Sequence, residues 1–240
     1  MNIARIIAQK FGYELEKPKI IELTLRTHLN NLFQNYEIDL VFDVGANKGQ
    51  FAKMLRANGY QGLIYSIEPG SVAFNKLKAT SRSDAKWKAY NLALGADSCE
   101  VTISISERDR LASLHKFSEF GKLRSGKASK ILRQERVEMI TLDEFIKRES
   151  ISISKHNCFL KIDTQGHDFE VFKGAQLCIS SLIGLQTEIS LKSIYEHVPP
   201  YGEVLGFCQQ KGFNISGLYA VDRDGTTLEL IEVDCVMVKP

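Results

Sequence analysis

Nowhere in these 240 residues do eighteen apolar residues run together, and Met1 to Phe11 holds no apolar core of signal-peptide length. The sequence therefore predicts neither a membrane-spanning helix nor a secretory leader. Cysteine is sparse as well: five residues, at 99, 158, 178, 208 and 235, odd in number and without a Cys-x-x-Cys pair. That pattern argues against a cysteine zinc site and a disulfide framework, and reads as buried free thiols in a cytoplasmic protein. A dominant charge is also missing, since a net charge of +2 gives no general pull toward nucleic acid or membranes and leaves only local patches to consider. What is present, 44% apolar and 25% charged residues, suits one compact α/β domain over 1–240, large enough to bury about 70% of its unfolded surface.

The richest signal is Val41-Phe42-Asp43-Val44-Gly45-Ala46-Asn47-Lys48-Gly49, followed by Ile67-Glu68-Pro69. An apolar run that ends in an acid, breaks at glycines and restarts with helical spacing reads as strand, tight loop, helix, with the loop open to a ligand. Glu68 closes a second apolar run nineteen residues past Gly49, where a doubly wound fold places the carboxylate that holds ribose hydroxyls. A dinucleotide fingerprint needs Gly-x-Gly-x-x-Gly, and Asn47 stands in the way of it, which disfavours a nicotinamide oxidoreductase. Asp43, Gly45, Ala46, Asn47, Gly49 and Glu68 instead suit S-adenosylmethionine, whose amino acid tail offers a carboxylate to loop N–H groups and an ammonium to an acid. The alternative is a helix-capping turn in another α/β protein.

Ahead of the first strand, apolar residues from Ile3 to Phe33 recur at helical spacing around Pro18 and predict two helices over residues 1–37. These cover an edge of the sheet, or form a homodimer contact or a wall of the substrate site. A helix is expected over Ser71–Thr80, then a strand running through Trp87 and Tyr90 to Gly95. That places Asn91 or its neighbour Ala93 at the adenine, unless Asn91 is only a strand-end turn residue. Val101–Ser106 alternates as an added antiparallel strand would. From Glu107 to Arg136 nine Lys or Arg face four acids, the makings of a substrate-facing lid for an anionic or bulky acceptor, an RNA-binding patch, or a solvated surface segment. Thr141 and Glu144 form a capping box for a helix over Leu142–Arg148. Two apolar runs around Asp224-Gly225 predict a closing antiparallel hairpin.

Polar chemistry gathers again in Leu160-Lys161-Ile162-Asp163-Thr164-Gln165-Gly166-His167, a buried strand whose carboxyl end carries an acid and then a glycine loop. Residues just past such a strand end face the ligand, so Asp163 and His167 are candidates to border the transferred group. His167 is either a base poised near neutral pH or a capping histidine. Glu188 lies inside the apolar run Leu182–Ile189, a costly place for a carboxylate unless it is paired or used. Alternation puts Lys161 within reach of it across neighbouring strands, so either Lys161 and Glu188 form an ion pair, or Asp163, His167 and Glu188, with Lys161 among them, orient or deprotonate an acceptor or ligate a divalent metal. Proton transfer is favoured over a metal, because no loop gathers several acids. Tyr195, His197 and Tyr201 either line a sugar site or pack a loop.

The phrases Val-Phe-Asp-Val-Gly-Ala-Asn-Lys-Gly, Ile-Glu-Pro, Leu-Lys-Ile-Asp-Thr-Gln-Gly-His-Asp-Phe-Glu-Val-Phe-Lys-Gly-Ala and Gln-Thr-Glu-Ile-Ser resemble, in order and separation, the FkbM family of S-adenosylmethionine-dependent O-methyltransferases. The resemblance covers roughly residues 38–240. It implies a Rossmann-like class I methyltransferase fold, a mostly parallel seven-stranded sheet with a C-terminal antiparallel hairpin, and a catalytic core over 38–240. It also implies methylation of hydroxyl groups on polyketides or on sugars of glycolipids, surface glycans or nodulation factors, with membrane contact only through a lipid-linked acceptor and no specific nucleic acid partner. By the same resemblance Asp43, Gly45, Asn47, Gly49 and Glu68 hold the cofactor, while Asp163, His167 and Glu188 lie by the acceptor. Gln165 departs from the family, which often has Glu there.

Overall fold

The computed structural model describes residues 24–106 and 113–240. The first expected helix and the segment 107–112 lie outside the described residues. Helix α1 (Leu25–Asn35), capped by the Thr24 hydroxyl, precedes the sheet as expected. The main sheet contains β1 (Leu40–Val44), β2 (Leu63–Ile67), β3 (Trp87–Tyr90), β7 (Cys158–Ile162), β8 (Leu182–Ser190), β9 (Asn214–Arg223) and β10 (Leu230–Val238). Its strand order is β3-β2-β1-β7-β8-β10-β9. The first five strands in that order are parallel, and β10 runs antiparallel to both of its neighbours. This is the Rossmann-like arrangement with a C-terminal hairpin that the apolar runs predict.

Strands β1 and β7 are buried at every residue, as parallel strands covered on both faces must be. Alternation splits their side chains between two cores. Val41 and Phe159 pack with Leu29 of α1, Leu55 of α2 (Gln50–Ala57) and Leu77 of α3 (Ser71–Ser81). Phe42 and Leu160 pack on the other face with Phe145 of α5 (Leu142–Arg148), Phe172 of α6 (Asp168–Lys173) and Cys208 of α7 (Tyr201–Gln210). The Thr141 hydroxyl accepts from the Glu144 N–H as a capping box requires, but the Glu144 carboxylate takes a hydrogen bond from Ser98 instead of turning back.

A second, three-stranded sheet sits beyond β3: β4 (Ala93–Leu94), β6 (Ile131–Ile140) and β5 (Cys99–Ser106), in the order β4-β6-β5. One expectation changes here: the strand through Trp87 stops at Tyr90, and Ala93–Leu94 leaves the main sheet to pair with Met139–Ile140. The described part of the basic segment includes α4 (Glu119–Ser125) and the first part of β6, paired antiparallel with β5. Its acid Glu135 accepts from the backbone and side chain of Ser71 and so caps α3. Among the described residues no helix is long and apolar enough to cross a membrane.

The loop after β1 is pressed against the loop after β7. Gly45 has φ +72°, and a Cβ there would stand 1.9 Å from the Asp163 carbonyl oxygen. Gly45→Ala is therefore expected to cost roughly 3 kcal/mol or more in denaturant unfolding. Gly206→Ala, inside α7 with nothing within 4 Å of the new methyl, should stabilise by about 0.5–1 kcal/mol.

Candidate functional site

Because β1, β2, β7 and β8 run parallel in register, Ser66, Asp43, Lys161 and Gln186 form one row across four strands on one face of the sheet. Lys161 lies 3.3 Å from Asp43 Oδ1 and 3.5 Å from Asp163 Oδ2, and donates to the Gly45 carbonyl at 3.1 Å. Burial works against its charge, but Asp163 and Asp43 outweigh burial and hold its proton affinity above that of an ordinary lysine. The row continues at both ends: Ser66 donates to Asp43 and accepts from the Trp87 indole, while Gln165 donates to Asp163 and accepts from Tyr195. The expected Lys161–Glu188 pair does not form, because the register sets Lys161 beside Gln186 and Glu188 beside Asp234, one pair further along.

Above this row, at the carboxyl ends of the strands, opens a cavity of about 370 Å³. Its walls include Gly45, Ala46 and Asn47 after β1, Glu68 after β2, Ala93 of β4, and Asp163 after β7. Glu68 is 6% exposed and accepts the Asn47 and Gly70 N–H groups, one on each oxygen, at 2.8 Å. Each oxygen keeps a lone pair for a further donor. Burial pushes this carboxyl up to about 7 against the pull of the Gly70 and Asn47 amides. Leu92, Ala93, Leu94 and Ile103 make an apolar wall beyond it. A ribose on Glu68, a base against that wall and an amino acid tail on the loop after β1 fit these residues, and the excess of acids in the cavity suits a cofactor carrying a sulfonium and an ammonium.

Two predicted cofactor residues stand back from the cavity lining. Gly49, φ +82°, lets α2 begin against Trp87, whose ring a Cβ would meet at 2.7 Å. Asn91 spends its amide on the carbonyls of Glu68 and Pro69 at 2.9 Å; it braces the Glu68 turn and is absent from the walls of the cavity.

His167 borders the cavity but is arranged unlike a base waiting for a substrate. Its Nδ1 meets His115 Nε2 at 3.1 Å. Its Nε2 is buried, without a hydrogen-bond partner among the described residues, and stands 2.9 Å from where a Cβ of Gly95 would be. Burial, then the neighbouring His115, drives its pKa down to about 4. Glu188 also lines the cavity, and burial, reinforced by Asp163, Glu232, Asp168 and Asp234, raises its carboxyl well above the ordinary value. Tyr195 lies in the core, its ring on Phe117 and its hydroxyl on Gln165, and neither it nor His197 nor Tyr201 reaches this cavity.

Sequence reading missed Gln186, Asp234 and Asp168. Gln186 precedes Glu188 by two on the same strand, so alternation alone puts both on one face. Asp234 is an acid inside the apolar run of β10, the same irregularity that singled out Glu188. Asp168 accepts from Thr164 and Thr187 and ties the β7–α6 loop to β8; in sequence it resembles any first-turn acid of a helix. Among the described residues no group of three or more His, Cys, Asp or Glu is arranged to hold a metal.

Comparison with known proteins places this geometry in context. The family described as Methyltransferase FkbM domain matches residues 43–215. Similar solved structures include fibrillarin of Aeropyrum pernix with natively bound S-adenosyl-L-methionine, at 11% identity and TM-score 0.45 over 84% of this chain and 66% of that one. Another is an rRNA methylase of Streptococcus thermophilus, at 11% identity and TM-score 0.47 over 90% of this chain and 98% of that one. A third is a putative RNA methyltransferase of Pyrococcus horikoshii, at 12% identity and TM-score 0.44 over 100% of this chain and 98% of that one. No curated protein sequence matches the chain.

Ribose hydroxyls donating to Glu68 would favour its ionised form, so ligand binding near pH 6–7 should expel part of a proton, and affinity should rise with pH and level off above about 7. Calorimetry with S-adenosylhomocysteine in buffers of different ionisation enthalpy measures this release. Glu232 is also pushed up to about 7, so Glu68→Gln isolates the Glu68 share. That variant should lose its part of the release and bind about a hundredfold more weakly.

Proposed function

Because the chain belongs to the FkbM family of S-adenosylmethionine-dependent methyltransferases, we propose that it is an O-methyltransferase whose acceptor is a sugar hydroxyl of a glycolipid, surface glycan or nodulation-factor-like oligosaccharide. S-adenosylmethionine, when bound, supplies an electrophilic methyl group and leaves as a neutral thioether. Glu68 would hold the ribose, the Gly45–Asn47 loop the amino acid tail, and Ala93 with its apolar neighbours the base. This assignment leaves the end of the cavity over β7 and β8, with Asp163 and Glu188, for the acceptor.

A hydroxyl must give up its proton as its oxygen attacks, and the side chain that takes the proton works best when its own proton affinity lies near the operating pH. The observation that carries the proposal is the Glu188 carboxyl: half-buried, lining the cavity and raised well above an ordinary glutamate. His167, held near 4 with its free nitrogen turned to Gly95, is a much weaker base, so its part is to fill the wall beside His115. Asp163 stays fixed by Lys161 and Gln165 and would orient the hydroxyl. The polar side chains at that end, Asp163, Gln186, Glu188 and Asp234, are in keeping with a sugar, which brings hydroxyl donors to several of them.

Glu188→Gln should leave S-adenosylhomocysteine affinity within about twofold and cut methyl transfer to sugar acceptors by roughly a hundredfold or more, measured as S-adenosylhomocysteine released per enzyme. Unchanged turnover in that variant would rule out Glu188 as the base, and transfer to no hydroxyl acceptor by the wild-type protein would reject O-methylation.

A further inference from the structure

The cavity does not end at Glu188. It continues over β10, where Asp234 stands beside Glu188 in the antiparallel register. There Gln186, 4% exposed, donates its amide N–H to Asp234 at 2.9 Å, while its Oε1 is buried without any hydrogen-bond partner among the described residues. A buried carbonyl oxygen left unpaired is costly and marks a place where a donor is meant to arrive. Apart from the Gln186 N–H spent on Asp234, the polar groups at this end are acceptors: the Gln186 Oε1, the Asp234 carboxylate and the Glu188 carboxylate. Among the described residues that line the cavity, Lys161 is the sole lysine or arginine, and it is already shared between Asp43 and Asp163.

We propose that Gln186 Oε1 and Asp234 form a cation subsite that takes a protonated amine of the acceptor, so that the substrate class is an amino sugar or amino polyol presenting an ammonium beside the hydroxyl to be methylated. The inference rests on the methyl-transfer reading of the cavity. The ammonium is not the cofactor's own. Neighbouring strands lie about 4.8 Å apart, so β10 stands roughly 14 Å from β1, while a cofactor with its ribose on Glu68 and its tail on the loop after β1 covers the far side of that span. An ammonium at Asp234 supplies the missing donor to Gln186 and balances carboxylates that burial otherwise pushes toward the protonated form. It would also favour the ionised state of Glu188, the state that can accept a proton. An anionic acceptor meets only repulsion there.

The test is calorimetric titration of the protein saturated with S-adenosylhomocysteine, using methyl 2-amino-2-deoxyglucoside, its N-acetyl derivative and methyl glucoside. The amine should bind at least about tenfold more tightly than either neutral sugar, a gap of roughly one charge-assisted hydrogen bond. Asp234→Asn and Gln186→Met should each erase that preference while S-adenosylhomocysteine affinity is kept. Equal binding of the three sugars, binding of none, or preference for a neutral one, with S-adenosylhomocysteine bound, would overturn the subsite and leave the methyltransferase reading intact. Failure of S-adenosylhomocysteine itself to bind the wild-type protein would overturn both.

Discussion

One buried ammonium, that of Lys161, carries the organisation of this site. It stands on the central strand β7, 5% exposed, with Asp43 of β1 on one side and Asp163 at its own strand end. An unpaired charge in such a place is costly, and removing one partner of a buried pair leaves the other uncompensated. Each of the three groups is therefore held by the other two. The Gly45 carbonyl, which also accepts from Lys161, draws the loop after β1 onto the loop after β7. The absence of a Cβ at Gly45 lets the two loops touch, so charge pairing and backbone shape act on the same few atoms.

From Lys161 the order spreads in both directions. Toward β3, Asp43 holds Ser66 and Ser66 holds the Trp87 indole, against which the start of α2 is packed. In the other direction, Asp163 holds Gln165, and Gln165 holds Tyr195 in the core. Gln165 has φ +55°, a conformation that needs support, and its amide is what lets it donate to a carboxylate while accepting from a phenol. An ionised glutamate would have only acceptors to offer Asp163. The amide at this position is thus matched by its two partners. The outcome is a rigid floor of alternating donors and acceptors, with the Glu68 end of the cavity on one side of β7 and the acid-rich end on the other.

Much of this was legible in the sequence. Val41 to Gly49, Glu68 and Leu160 to His167 each mark a strand end with a turn that opens toward the crevice, and the parallel order brings those ends together. The sequence signal failed where the outcome depends on register between strands far apart in the chain. Lys161 and Glu188 lie on adjacent strands and on the same face, yet a shift of one pair gives Lys161 to Asp43 and Glu188 to Asp234. Ala93 and Leu94 continue the apolar pattern of β3 but are claimed by β6, which pairs on its other side with β5 in a separate sheet. His167 carried the sequence signature of a base; only the fold reveals that His115 and Gly95 occupy its two nitrogens' surroundings. Gln186 gave no signal by itself, since an unpaired amide oxygen is a property of the packed structure.

In the proposed enzyme the strand-end row around Lys161 would present a cofactor site on the β1–β2 side and an acceptor site on the β8–β10 side. A crystal structure of the complex with S-adenosylhomocysteine tests it most directly. Both ribose hydroxyls should lie on Glu68, the amino acid tail on the Gly45–Asn47 loop and the sulfur facing Asp163, with Glu188, Gln186 and Asp234 left free of the ligand. A ligand lying across β8 and β10, or with its ribose away from Glu68, would contradict it.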